Sequence, residues 1–251
     1  MRRQHVRVSG VLKTLILTGD DFGRSAEVNA AIERYHAAGA LTHASLMVAE
    51  PHAAAAAEIA RRHPGLRVGL HLTLCAGRAT QPSLLTDSAG NLIASPVRAG
   101  LRYAFDARLR EPLCAEIRRQ FETFRALGFP PAYWDGHTHL HLHPVIFRLT
   151  LPIAREFGFR FVRLVREPGP PAVVPWIFAK LSAAALPALE RAGIGFADRV
   201  FGLRRTGRMS LDAFRDALAA HRGGTTEIYF HPGAERDPPE PEKLAEIVSI
   251  S

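Results

Sequence analysis

Short apolar runs alternate along this chain with longer stretches of helical period. Residues 14–18, 41–48, 66–74, 132–137, 159–165, 194–200 and 225–230 read as strands. Ser25 caps a helix whose inward face is Val28, Ala31, Ile32 and Tyr35, and Gly39 ends it. Further helices are predicted over 51–62, 111–127 (Ile117, Phe121 and Phe124 inward), 145–157, 176–192 and 241–248. Another follows Ser210, with Met209 and Phe214 as a hydrophobic staple. Strands alternating with helices of this length imply parallel pairing through right-handed crossovers. The expected fold is therefore α/β, a single βα-repeat barrel, TIM-like but distorted, of about seven parallel strands. One domain over 1–251 is expected, with an irregular insertion at about 76–108 that is long enough to be a loop over a site.

The composition, 47% hydrophobic and 22% charged in 251 residues, supports a sizeable core and excludes a disordered chain. No run of about 18 apolar residues occurs, so no membrane-spanning segment is expected. A basic start at 1–7 and an apolar run at 11–17 resemble a signal peptide. Lys13 interrupts that run, however, and Asp20-Asp21 follows with no small-x-small site, so the segment reads as a first buried strand. Cys75 and Cys114 fit no metal or redox spacing; two free thiols suit a reducing compartment, so the cytoplasm is expected. The net charge of +8 is spread over scattered arginines, as in a solvated basic surface. It leaves room for peripheral contact with an anionic membrane, and no nucleic-acid motif is present. No Gly-rich phosphate loop follows any strand, which argues against nucleotide binding.

In such barrels chemistry sits at the C-terminal ends of the strands. There the chain places Asp20 and Asp21, His71, Asp135 and His137, Arg163, Asp198 and His231. Carboxylates and imidazoles are costly to bury unless paired or metal-bound. His137, His139, His141 and His143 alternate along an expected extended chain and so could share one face. His137, nearest the strand end, is the expected ligand; His139 and His141 support it or meet substrate, and His143 caps the helix opened by Pro144. Adjacent Asp20 and Asp21 point to opposite sides, so one can reach an ion and the other a water beside it. One carboxylate and two imidazoles leave positions open on a single divalent ion. Their softness favours Zn²⁺, leaves Mn²⁺, Co²⁺ and Fe²⁺ open, and makes Mg²⁺ less expected.

The pieces Thr18-Gly19-Asp20-Asp21-Phe22-Gly23, Gly69-Leu70-His71-Leu72, Asp135-Gly136-His137-Thr138-His139-Leu140-His141 and Tyr229-Phe230-His231-Pro232-Gly233 together resemble the YdjC-like carbohydrate deacetylases, in that family's order and over nearly the whole chain. The resemblance implies that Asp21, His71 and His137 bind the ion, that Asp20 is the general base and that His231 is a candidate acid. It also implies Mg²⁺ or Zn²⁺ as cofactor and an N-acetylated amino sugar as substrate. Arg163 would anchor Asp20 or the substrate, with His139 and His141 as further substrate groups. Through Ala44-Ser45-Leu46-Met47-Val48 and Val162-Arg163-Leu164-Val165-Arg166-Glu167-Pro168 the chain is most similar to the branch associated with hopanoid biosynthesis, which implies an N-acetylglucosaminyl hopanoid glycolipid. The alternatives are a chitooligosaccharide or diacetylchitobiose deacetylase and a non-catalytic sugar-binding barrel. A metal phosphohydrolase would need more carboxylate ligands, and a homodimer stays open.

Overall fold

A computed structural model describes residues 14–221 and 223–249; the basic start of the chain lies outside them. Strand β1, Thr14–Phe22, is buried from Leu17 onward on both of its faces, as expected of a parallel strand covered by helices. It lies between β2 (His43–Leu46) and β6 (Thr225–Phe230). The sheet extends through β3 (Arg67–Leu72) to β4 (Trp134–Gly136) on one side and to β5 (Arg199–Phe201) on the other. Its order is β4-β3-β2-β1-β6-β5, every pairing is parallel, and it curls into a half-barrel.

Apart from one helix within the 76–108 stretch, the helices form where the pattern put them. α1 (Ala26–Ala37) begins at Ser25, whose hydroxyl accepts from the Val28 amide, and buries Val28, Ala31, Ile32 and Tyr35. α2 (Ala53–Arg62) follows, then α3 (Pro96–Phe105) and α4 (Arg110–Ala126), the last burying Ile117, Phe121 and Phe124. α5 (Pro144–Glu156) and α6 (Val173–Ala192) precede α7 (Leu211–Ala219), at whose start Met209 and Phe214 are both buried. α8 (Pro241–Ser249) ends the described chain.

Four expectations need correction. The sheet has six strands and is not closed: 159–165 makes only isolated bridges, Trp134 with Val162 and Phe161 with Gly195. β4 runs for three residues before the chain turns away, and Gly195 offers a single bridge, so no ladder propagates there. Asp198 is not at a C-terminal strand end, because its Oδ2 accepts from the Thr225 amide at 2.8 Å, at the start of β6. The 76–108 insertion is not irregular throughout: Ser95 caps α3 over Pro96, a start signal legible in the sequence. Finally, α6 is long and apolar enough to cross a membrane although Lys180 interrupts its apolar run.

Candidate metal centre and cleft

Asp20 and Asp21 both reach the same cleft because β1 is irregular at this point. Between Gly19 and Phe22 its register against β2 slips by one residue, and Asp21 adopts φ 66°. Such a bulge re-aims side chains that a regular pleat would send to opposite faces. β3 supplies His71, paired in register with Asp135 of β4. After β4 the chain does not stay extended: 137–142 forms a tight turn with Thr138 at φ 54° and His139 at φ 59°. This overturns the expected shared face of four histidines. Gly136 permits the turn, since a Cβ there would meet His141 Cβ at 2.9 Å and the Leu72 carbonyl at 3.1 Å. The resulting cleft of about 350 Å³ is lined by Asp20, Asp21, His71, His137, His139 and His231, with Phe178 at its side.

Asp21, His71 and His137 each offer one donor atom, and the three lie within 4.8 Å of one another. His137 Nδ1 is 2.9 Å and His71 Nε2 3.4 Å from Asp21 Oδ1. Both Asp21 Oδ1 and His137 Nδ1 are buried without a hydrogen-bond partner. Burial would raise the Asp21 carboxyl, but the close approach of His137 and His71 outweighs it and holds it well below the carboxylate range. Desolvation likewise opposes charge on His71, yet Asp135 and Asp20 push its pKa up to about 10. Asp135 Oδ1 lies 2.7 Å from His71 Nδ1, which aims Nε2 into the cluster, the arrangement that orients a metal-binding imidazole. A second grouping, Asp20, His71 and Asp135, also has closely spaced donors. Its carboxylates are already committed, however, since Asp20 accepts from Arg163 through both oxygens and Asp135 is held by His71 and Ser45. Unpartnered donors and surplus buried negative charge make the first set the one that fits a divalent cation.

Arg163 lies beneath the cleft, fully buried, and not in it. Its guanidinium pairs with Asp20 at 2.8 and 2.9 Å, with Asp135 at 2.8 Å and with Glu227 at 2.7 Å, and it stacks 4.4 Å from the Tyr229 ring centroid. Of the two roles expected for it, the geometry is that of the Asp20 anchor and excludes substrate contact. His141 is also corrected: it is buried, its Nε2 donates to the Arg163 carbonyl at 2.9 Å, and burial lowers its pKa to about 4. His139 does line the cleft, with Nε2 2.8 Å from the Tyr229 hydroxyl and burial keeping it neutral. His143 stands at the start of α5, but its side chain makes no cap.

His231 follows β6 and faces the cleft. Burial opposes its charge, but the Glu235 carboxylate, 3.5 Å away, together with Asp20 and Asp21, raises its pKa. Glu235 was not singled out in the sequence, although a carboxylate four residues past a strand-end histidine is a readable signal. Arg24 was missed as well: its Nη1 donates to Asp21 Oδ2 at 2.9 Å, so the free oxygen of Asp21 is Oδ1.

Comparison with known proteins gives the family and the class of enzyme. A family model described as YdjC-like protein matches residues 14–248. A carbohydrate deacetylase of Mus musculus is 32% identical over 90% of this chain and 79% of its own. The Homo sapiens carbohydrate deacetylase is likewise 32% identical, over 90% of this chain and 76% of its own. A chitooligosaccharide deacetylase of Serratia marcescens is 34% identical over 62% of this chain and 60% of its own. In a crystal structure from Enterococcus faecalis the fold recurs with TM-score 0.66 at 21% identity, over 88% of this chain and 81% of that one. The α/β half-barrel with its strand-end polar cluster is thus of the deacetylase class. The chain belongs to the YdjC-like family.

Proposed function

We propose that this protein is a metal-dependent hydrolase that removes the N-acetyl group from an amino sugar, with Asp21, His71 and His137 holding one divalent ion. That it is a carbohydrate deacetylase follows from its family and relatives. The observation that supports the metal site is the convergence of three buried donors, two of them unpartnered, beside Asp20 and His231 in one cleft. When bound, the ion supplies Lewis acidity toward the acetamide oxygen and a water of lowered pKa. Asp20, oriented by Arg163, accepts the proton of the attacking water. His231, whose pKa is raised by Glu235, Asp20 and Asp21, donates a proton to the departing amine nitrogen. Acetate and a free amino sugar result, and His139, which lines the cleft, contacts the sugar in this reading. Two imidazoles with one carboxylate favour Zn²⁺, while the family resemblance keeps Mg²⁺ in view.

For the substrate, the hopanoid-type motifs support an N-acetylglucosaminyl hopanoid, approached by peripheral contact with a membrane. A soluble chitooligosaccharide is the second reading, favoured by the Serratia marcescens relative. The free thiols of Cys75 and Cys114 support a cytoplasmic location. The test is acetate release by the purified protein from a panel of N-acetylated sugars and glycolipids. Faster release from the detergent-dispersed glycolipid than from chitooligosaccharides is expected, the reverse order selects the soluble substrate, and release from none overturns the reading.

His231→Ala should lower turnover far more than substrate affinity. Because the His231 pKa is raised, the acid form persists to higher pH and is lost as pH rises through it, so this group sets the alkaline limb of the rate profile. In the variant that limb should move or vanish, and substrates with better leaving groups should suffer less. An unaltered profile with a uniform penalty across leaving groups would exclude His231 as the acid.

A further inference from the structure

Among the described residues, large apolar side chains are exposed on two helices and on a loop tied to one of them. Val173, Val174, Trp176 and Ile177 stand on the first turns of α6, and Val97, Leu101 and Phe105 on α3. The remaining one, Leu84, is tied to α3 through its carbonyl, which accepts from Arg102 at 3.2 Å. Both helices pack on the 137–142 turn that carries His137. α6 reaches the cleft directly, since Phe178 lines it and meets His139 edge-on with centroids 5.3 Å apart. The uncovered apolar surface therefore begins at the mouth of the candidate site. Exposed apolar surface of this kind, gathered on helices that flank a candidate site, marks an interaction site.

We propose that the first turns of α6, together with the outer face of α3, form a docking surface for an anionic lipid bilayer, which brings a membrane-borne sugar to the cleft. The charges select this occupant. The two helices carry Arg98, Arg102, Lys180 and Arg191 against Glu190 alone. A second copy of the chain would bring the same cations face to face, whereas anionic headgroups complement them. Lys180 lies 5.8 Å from the Trp176 ring centroid, so apolar anchor and cation share one face. The helix lies on the membrane and does not cross it: its later turns bury Ser182, Ala185 and Leu189 on the barrel, and Ser182 Oγ donates to the Val165 carbonyl at 3.1 Å. The inference rests on the lipid-linked substrate reading only for its purpose, because binding is measured without turnover.

The chain has two tryptophans; Trp176 is 61% exposed and Trp134 0%, so a change in emission on adding vesicles reports Trp176. With the full protein, vesicles of phosphatidylcholine containing phosphatidylglycerol should shift that emission to the blue and co-sediment the protein. Pure phosphatidylcholine vesicles should do so weakly, and added salt should reverse the binding. Trp176→Ser combined with Ile177→Ser should lower partition into anionic vesicles, followed by sedimentation, by about tenfold or more, since two exposed apolar anchors are lost. Acetate release from a soluble substrate should be unchanged in that variant. Absence of binding to anionic vesicles, or partition unaltered by the double substitution, overturns the proposal. So does a solution dimer that the same substitutions dissociate without any vesicle binding. Vesicle binding with no cleavage of a lipid-linked sugar upholds the surface and removes the glycolipid reading alone.

Discussion

His71→Ala and His137→Ala should each strip the ion from the protein, read as metal content after dialysis, and turnover should fall by about 10³-fold or more, the several kcal/mol a catalytic ion supplies. Each substitution removes one of three donors whose atoms lie within 4.8 Å, and the neighbouring carboxylates Asp20 and Asp135 cannot readily replace it, because their oxygens are already held. Asp135→Asn should act more mildly, weakening metal affinity by about 10–100-fold, since Asp135 acts on the ion's ligands through His71 and does not itself belong to the ligand set. The affinity should also fall as pH falls. Carboxylates hold a proton on His71 up to a pKa of about 10, and the ion must displace it. Full occupancy in both alanine variants would dismiss the site, as would an affinity independent of pH.

Asp20→Asn should keep the ion and lose turnover by about 10²-fold or more, the scale of a missing general base. The expectation comes from the division of labour between neighbours. Asp21 keeps an unpartnered oxygen toward His137, whereas Asp20 is fixed by a bidentate guanidinium and still lines the cleft. The amide also costs Arg163 one charged partner, so the variant's thermal midpoint should be measured beside its rate. A midpoint shift without loss of turnover would make Asp20 structural. Loss of metal in Asp20→Asn, with retention in Asp21→Asn, would reverse the two roles.

Much of this site was legible because strands announce their ends. Asp20, Asp21, His71, His137 and His231 are polar residues that interrupt or follow apolar runs, and the parallel sheet brings them to one rim. What escaped depended on backbone dihedrals. Alternating histidines look like a strand, and nothing in their spacing shows Thr138 and His139 in the left-handed region, which sends His141 downward and leaves His139 in the cleft. Arg163 could be placed near Asp20 but not above or below it, because its depth is set by Glu227, a charged residue inside an otherwise buried strand. The missing seventh strand has the same origin. Residues 159–165 have the composition of a strand, but pairing needs length in the partner, and β4 ends after Gly136.

The left-handed backbone at Asp21 also limits how such a centre could be retuned. Asp and Asn occupy that region more readily than other side chains with a Cβ, since a short polar arm can bond locally. Glutamate, though a competent donor for the same ion, would add backbone strain at that position. His71 and His137 have no such restriction, their φ values being negative. Exchange of donor type is therefore open at residues 71 and 137 on conformational grounds, while at 21 the choice narrows to the few side chains that accept a left-handed backbone.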